Sequence, residues 1–408
     1  MTPSEMLRIL KDAGYHVAMA GTRGDHFAQG VTELSAHEYG FAEGAEHTRE
    51  QRPEEYPDEV SARLFYRGRV PDDGLIDHDE AAVRTAERWL AAPPKRPWVL
   101  YVPLFSPHTP FQVQEPWFSL HDREAVPDAV PPQPAEPGFK ELIRERYGLD
   151  RVTPEMWREV TAVYHGMVSR LDDHVGRMQA ALRASGCFDD TVSLFFSDHG
   201  EYMGDFGLIE KWPSSMDSCI TRDPLIISGG GLPAGQRYQG MTELVDVLPT
   251  VLELAGVQAS HKHFGRSLLP VLRDPGRDPR EHREYAVTEG GGLADEGPVL
   301  KQVPYPYEIK SELLRTHPRL VGKAVAVRDM EWTYVWRLYE PPELYHRGHD
   351  PYETVNLAGR PEHAETERHF ERELLRRQVA TSDIVSEDRD PRFPEVALPG
   401  PATGVYER

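Results

Sequence analysis

The run Phe195-Phe196-Ser197-Asp198-His199-Gly200-Glu201 sets a carboxylate and an imidazole directly after an apolar stretch. Asp198 offers hard oxygen suited to Ca2+, Mg2+ or Mn2+, and His199 a neutral nitrogen suited to Mn2+ or Zn2+. The same pair also fits a turn in which Asp198 caps the backbone and His199 is an ordinary polar side chain. Further along, Gly204-Asp205-Phe206-Gly207-Leu208-Ile209-Glu210-Lys211 is a glycine-bearing run able to fold a cation back over that pair, although a lone lysine is more often solvated surface. His108 stands between Pro107 and Thr109-Pro110, whose proline rings stiffen its backbone. A loop histidine with no task has the same surroundings.

These residues need elements to carry them. Pro3 and Ser4 open a helix with apolar Met6, Leu7, Ile9 and Leu10 that stops at Gly14, and Tyr15 to Ala20 then reads as a strand. Glu80 to Ala92 predicts a helix ended by Pro93 and Pro94, followed by a buried strand from Trp98 to Phe105 that delivers His108. Pro154 to Ser185 predicts a long helix closed by Gly186. The apolar run Thr191 to Phe196 after it has the composition of a central parallel strand. Pro224 to Ile227 is a further short strand. Helices alternating with doubly buried strands predict an α/β layered sheet, in which ligands gather at the carboxyl ends of the strands. Gln112 to Pro137 and Gly290 to Pro318 read as irregular excursions, Lys323 to Tyr345 as antiparallel strands, and Pro361 to Val379 as a helix. No internal repeat is found.

Composition narrows the function classes. The 408 residues hold 46 Lys plus Arg against 67 Asp plus Glu, a formal charge of −21. Such a surface repels phosphate backbones and anionic lipid, so neither nucleic acid nor membrane is expected as a partner, and an anionic substrate must meet a local positive site. No apolar run is long enough to span a bilayer, and the N-terminal helix pattern differs from a secretion signal, so the expected compartment is cytoplasmic. Two cysteines, Cys187 and Cys219, cannot build a disulfide framework or a thiolate zinc site.

Read together, GYHVAMAG (14–21), SPHTPF (106–111), FFSDHGEYMGDFGLIEK (195–211), DPLIIS (223–228) and ELYHRGHDPYETVNLAGRP (343–361) resemble the type I sulfatase family, over roughly residues 7–383 and in the family's order. The resemblance implies an alkaline phosphatase-like layered α/β/α sheet with a smaller C-terminal α+β domain. In that organisation residues 1–285 form the α/β domain, 286–380 an antiparallel sheet with a helix, and 381–408 a loosely ordered tail. It implies that Asp198 and His199 ligate a divalent metal, Ca2+ first with Mn2+ or Mg2+ as alternatives. It further implies that His108 contacts the sulfate ester or its leaving oxygen and that Lys211 binds the sulfate. The small-molecule substrate is then a sulfate ester, or a phosphate or phosphonate ester within the same superfamily. A non-catalytic remnant that binds an anion or a partner is the alternative from another class.

Two features depart from the family. Its members open with a strand bearing paired aspartates and then CxPSR or CxAxR, whose cysteine becomes formylglycine. Here Cys187 leads into Phe188-Asp189-Asp190 and Cys219 into Ile220-Thr221-Arg222, so neither motif is present. The expectation is a nucleophile segment encoded upstream of Met1 and no turnover by the chain as it stands. Where the family has Gly-Lys followed closely by His, this sequence has Gly21-Thr22-Arg23-Gly24-Asp25-His26. Arg23 and His26 are the expected replacements as substrate-binding groups, with a surface turn as the alternative for Arg23.

Overall fold

The structure, a computed structural model, describes residues 3–21, 31–42, 56–74, 76–259, 261–274, 276–296, 303 and 305–382. Eleven strands run through them: β1 (His16–Ala20), β2 (Glu38–Gly40), β3 (Tyr66–Arg69), β4 (Trp98–Tyr101), β5 (Phe111–Val113), β6 (Val192–Phe196), β7 (Leu225–Gly229), β8 (Ala286–Gly290), β9 (Ala324–Arg328), β10 (Trp332–Arg337) and β11 (Glu343–His346). The helices used below are α1 (Pro3–Asp12), α2 (His78–Leu90), α3 (Gly138–Tyr147), α4 (Pro154–Ala184), α5 (Val247–Ala255), α6 (Glu308–Thr316) and α7 (Ala364–Thr381). β1 lies between β2 and β4 in a parallel sheet, β3 pairs with β5 in parallel, and β6 pairs with β7 antiparallel. Strands β8 to β11 form an antiparallel meander. The mixed α/β architecture is the one the sequence implies.

Apolar periodicity explains how these layers close. Leu7 and Leu10 on one face of α1 pack with Val17 and Met19 of β1 and with Leu248 and Leu252 of α5. A larger core joins Phe111 and Val113 of β5, Phe139 and Ile143 of α3, Val160 and Val163 of α4, and Tyr202, Leu208 and Trp212 of the loop after β6. That loop is therefore anchored by large side chains on both sides of the residues expected to do chemistry. The antiparallel sheet grips the same segment just beyond Lys211. Met216 packs against Ala324, Ala326 and Val335, Arg337 Nη1 donates to the Ser214 carbonyl at 2.8 Å, and Arg328 donates to the Met216 carbonyl.

Several sequence expectations change. Thr191–Phe196 is not a central parallel strand: among the described residues β6 pairs only with antiparallel β7, and Phe196 is 37% exposed. An apolar run encodes the desire for burial but not the partner that supplies it. β4 ends at Tyr101, because Pro103 lacks the N–H that a ladder needs, and its residues are half-buried. The Gly290–Pro318 excursion contains α6, whose Ile309 and Leu313 enter the large core. The segment holding Arg23 and His26, and the tail from residue 383, lie outside the described residues.

One buried charge ties the start of α5 to the segment leading into the antiparallel sheet. Asp246, fully buried, accepts from Arg283 Nε at 2.8 Å, from the Arg266 backbone at 2.7 Å and from the Glu243 backbone at 3.0 Å, with His282 Nε2 also at 3.0 Å. Glu243 in turn accepts from the backbone of Val287 in β8 and from Arg377 of α7. Burial alone would raise the Asp246 carboxyl, but Arg283 and His282 hold it below the usual carboxylate range. Replacing Asp246 by Ala removes the closer of two buried carboxylate partners of Arg283, leaving Glu243 at 3.3 Å, and urea unfolding is expected to show a loss of about 3 kcal/mol at neutral pH. Because the folded carboxyl is depressed, its contribution is complete above the unfolded value of about 3.9 and fades as pH falls through the folded value. The wild-type advantage over Asp246→Asn should therefore shrink in acid. An advantage independent of pH contradicts the assignment.

Candidate active site

Asp198 and His199 follow β6 at its carboxyl end, and a glycine holds them there. Gly200 donates to the Ile220 carbonyl at 2.8 Å, and a Cβ on Gly200 would lie 1.9 Å from the Cys219 carbonyl oxygen. No side chain fits, which is the physical reason for a glycine next to His199. His199 Nδ1 lies 2.9 Å from the Gly200 carbonyl and so carries the proton that bond requires, with Nε2 3.8 Å from Asp198 Oδ1. Across the strand pair, Asp223 precedes β7. Burial first, and the Asp198 charge second, push its carboxyl up to about 6.

His108 is placed by a different device. The two carboxylate oxygens of buried Asp79 in α2 accept from the backbones of Phe105 and Ser106 at 2.7 and 2.8 Å, fixing the turn after β4. His108 Nδ1 then donates to the Thr109 carbonyl at 2.8 Å, so Nε2 faces inward as an acceptor. Lys211 Nζ lies 2.6 Å from that nitrogen and donates to it. Burial, reinforced by the Lys211 charge, holds the imidazole below its ordinary value. His108 is therefore neutral in this arrangement, not the protonated imidazole that an anion site suggests.

The loop that presents Lys211 is under backbone strain. Met203, Phe206 and Glu210 all have left-handed φ, at 48°, 56° and 65°, an unfavourable region for such side chains. Contacts impose it. Phe206 donates its N–H to the Val130 carbonyl at 2.6 Å, Val130 donates to Asp205 Oδ1 at 2.9 Å, and Arg144 Nη1 donates to the Phe206 carbonyl at 2.8 Å. The Pro-rich excursion thus clamps the loop from one side. At its end Glu210, 3% exposed at its side chain, pairs with Lys211 Nζ at 2.6 Å and Lys310 Nζ at 2.9 Å. Burial opposes ionisation of Glu210, and the two lysines overcome it, holding the carboxyl low. Glu201 beside them goes the other way: burial first and Glu210 second push its carboxyl up to about 8, so it is protonated at neutral pH.

The structure brings His108 and Lys211 into contact and sets His199 within electrostatic reach of His108. Asp198 stands next to His199 just past the end of β6. The sequence reading missed Asp79, Glu201, Glu210, Asp223, Tyr307 and Lys310. Glu210 adjoins Lys211 in the sequence, but Lys310 is brought in from another element and carries no local signal. For a metal ion, two donors fall short of the six to eight oxygens Ca2+ takes. Among the described residues no group of three or more His, Cys, Asp and Glu side chains is placed to hold one. The described residues do not by themselves fit a divalent ion.

With this geometry, the matches to known proteins can be read. The sulfatase family model matches residues 2–257. The multifunctional alkaline phosphatase superfamily protein PehA of Trinickia caryophylli is 27% identical over 71% of this chain and 57% of its own length. Choline-sulfatase of Rhizobium meliloti is 29% identical over 65% of this chain and 47% of its own. The chain thus spans about half the length of these relatives. In fold, a phosphonate monoester hydrolase from Silicibacter pomeroyi superposes with a TM-score of 0.66 at 22% identity, covering 93% of this chain and 80% of that one.

The tautomer assignment has a direct check. Lys211→Met removes the charge that opposes protonation of His108 but leaves the burial, so NMR titration should show the His108 pKa rising yet staying below the ordinary value of about 6.5. An unchanged or lowered pKa contradicts the contact.

Proposed function

This chain belongs to the sulfatase family, and on that footing we propose that it forms the oxyanion-recognising body of a hydrolase acting on small-molecule sulfate esters. Phosphate or phosphonate esters are the second substrate class. The observation that carries this reading is the 2.6 Å contact between Lys211 Nζ and His108 Nε2 at a strand-end rim, in a protein whose overall charge is strongly negative. A local cation in an acidic surface is what an anionic ester needs for recognition.

The roles follow from the donors. Lys211 donates to a non-bridging oxygen of the ester and stabilises the negative charge that spreads over the transferring group. His108 and Lys211 hold one acidic proton between two nitrogens, and a leaving oxygen that develops charge beside them can draw it. Thr109 keeps His108 Nδ1 occupied, so Nε2 alone faces the reaction. Arg23 and His26 are proposed to contact the ester as well. A divalent metal belongs to this reading, Ca2+ first and Mn2+ or Mg2+ next, with Asp198 and His199 among its ligands and further oxygens needed to complete its shell.

The attacking group is not one of the two cysteines. Neither sits in CxPSR or CxAxR, and burial pushes the Cys219 thiol far above its ordinary value. We therefore expect the 408 residues to bind an oxyanion without turnover, and we propose the cytoplasm as their compartment. Calorimetry with inorganic sulfate should show binding that Lys211→Met weakens by about 10- to 150-fold, the equivalent of one charge-assisted hydrogen bond of about 1.5–3 kcal/mol. An aryl sulfate supplied with Ca2+ should not be hydrolysed. Turnover that survives Lys211→Met, or sulfate binding indifferent to it, defeats this reading, and a preference for phosphate over sulfate moves it to the second substrate class.

A further inference from the structure

The segment returning from the Gly290–Pro318 excursion reaches the site from two directions. Tyr307 meets Thr109 through their hydroxyls, and Thr109 is the residue whose carbonyl accepts from His108. Within the first turn of α6, Lys310 Nζ donates to Glu210 Oε2 at 2.9 Å and to the Lys211 carbonyl at 2.9 Å. Its ammonium also stands 5.4 Å from the centre of the Trp212 ring, within range of cation–π attraction. Lys310 thus holds both ends of the Glu210–Lys211 unit, the carboxylate and the following carbonyl. Lys310 is about one-fifth exposed at its side chain and Glu210 almost wholly buried, so the pair is screened less than a surface ion pair.

The charge count gives this contact a purpose. Lys211 pairs with the carboxylate of its own neighbour, and such a pair standing alone is neutral, a poor partner for an anion. Lys310 turns the group into two positive charges and one negative. We propose that Lys310 is a positioning residue: by occupying one oxygen of Glu210 and the Lys211 carbonyl, it keeps Lys211 directed at His108 and leaves a net positive charge for an incoming sulfuryl or phosphoryl oxyanion. Without it, Glu210 Oε2 keeps only the Lys211 backbone N–H at 3.1 Å, and the freed carboxylate charge draws the ammonium away from the imidazole. The role rests on the function proposed above, but the Lys310–Glu210–Lys211–His108 coupling exists with or without an ester.

Two readouts on the whole 408-residue chain separate those parts: NMR titration of His108, whose facing charges are Lys211, Glu210 and His199, and calorimetry with inorganic sulfate. In Lys310→Met with an unchanged far-UV spectrum, the His108 pKa should rise by about half a unit or more as Lys211 withdraws. The sulfate Kd should weaken about tenfold. Lys310→Arg, which keeps the charge, should retain both wild-type values. If Lys310→Met does not fold, Lys310→Gln carries the same two expectations. A folded charge-free variant with unaltered His108 titration overturns the proposal, as does Lys310→Arg behaving like Lys310→Met. Should the wild type fail to bind sulfate while His108 still answers to Lys310, the positioning role stands and the proposed function falls.

Discussion

Two basic nitrogens held 2.6 Å apart can share a hydrogen bond only while one of them is unprotonated. The contact between Lys211 and His108 obeys that constraint, and much of the surrounding structure serves it. The Thr109 carbonyl fixes the tautomer in which His108 Nε2 is an acceptor. Asp79 fixes the turn that aims the ring. Burial disfavours the imidazolium, so the lysine keeps its proton and the histidine does without one. On the other side, the Glu210 carboxylate bridges the Lys211 and Lys310 ammonium groups and offsets their mutual repulsion. The local strain of three left-handed residues between Met203 and Glu210 is what this placement costs, offset by the core contacts of Tyr202, Leu208 and Trp212.

The same constraint explains why the antiparallel sheet matters to a site it does not line. Met216 and the carbonyls of Ser214 and Met216 are gripped by β9 and β10, a few residues past Lys211. Asp246 and Glu243 tie that sheet back to the helical layer through Arg283, Val287 and Arg377. A lysine on an otherwise strained loop is therefore fastened at both ends.

Much of this was legible in the sequence where the information is local. The place of Asp198-His199 past β6 followed from an apolar run ending in polar residues, and Gly200 proved to be a position that admits no Cβ, whereas His108 lies beyond the end of β4 at Tyr101, in the turn that Asp79 fixes. The antiparallel pattern around Lys323–Tyr345 also corresponds to β9, β10 and β11. What stayed hidden was non-local. Lys310 lies 100 residues from Glu210, inside a stretch whose Gly and Pro content masks the helix it belongs to. The apolar run of β6 named its need for neighbours without naming them, and the structure gives it β7 rather than a parallel partner. Asp79 stands in the first turn of α2, yet its carboxylate serves the turn after β4, a use with no local signal.

The central claim is that Lys211 and His108 together mark where a tetrahedral oxyanion sits. Selenate, a sulfate isostere with a strong anomalous X-ray signal, locates that place without any need for turnover. Crystals soaked in selenate should show an anomalous peak within hydrogen-bonding distance of Lys211 Nζ, on the His108 side of the ammonium, and that peak should vanish in Lys211→Met. A fully occupied peak elsewhere, with nothing bound beside the Lys211–His108 pair, contradicts the account.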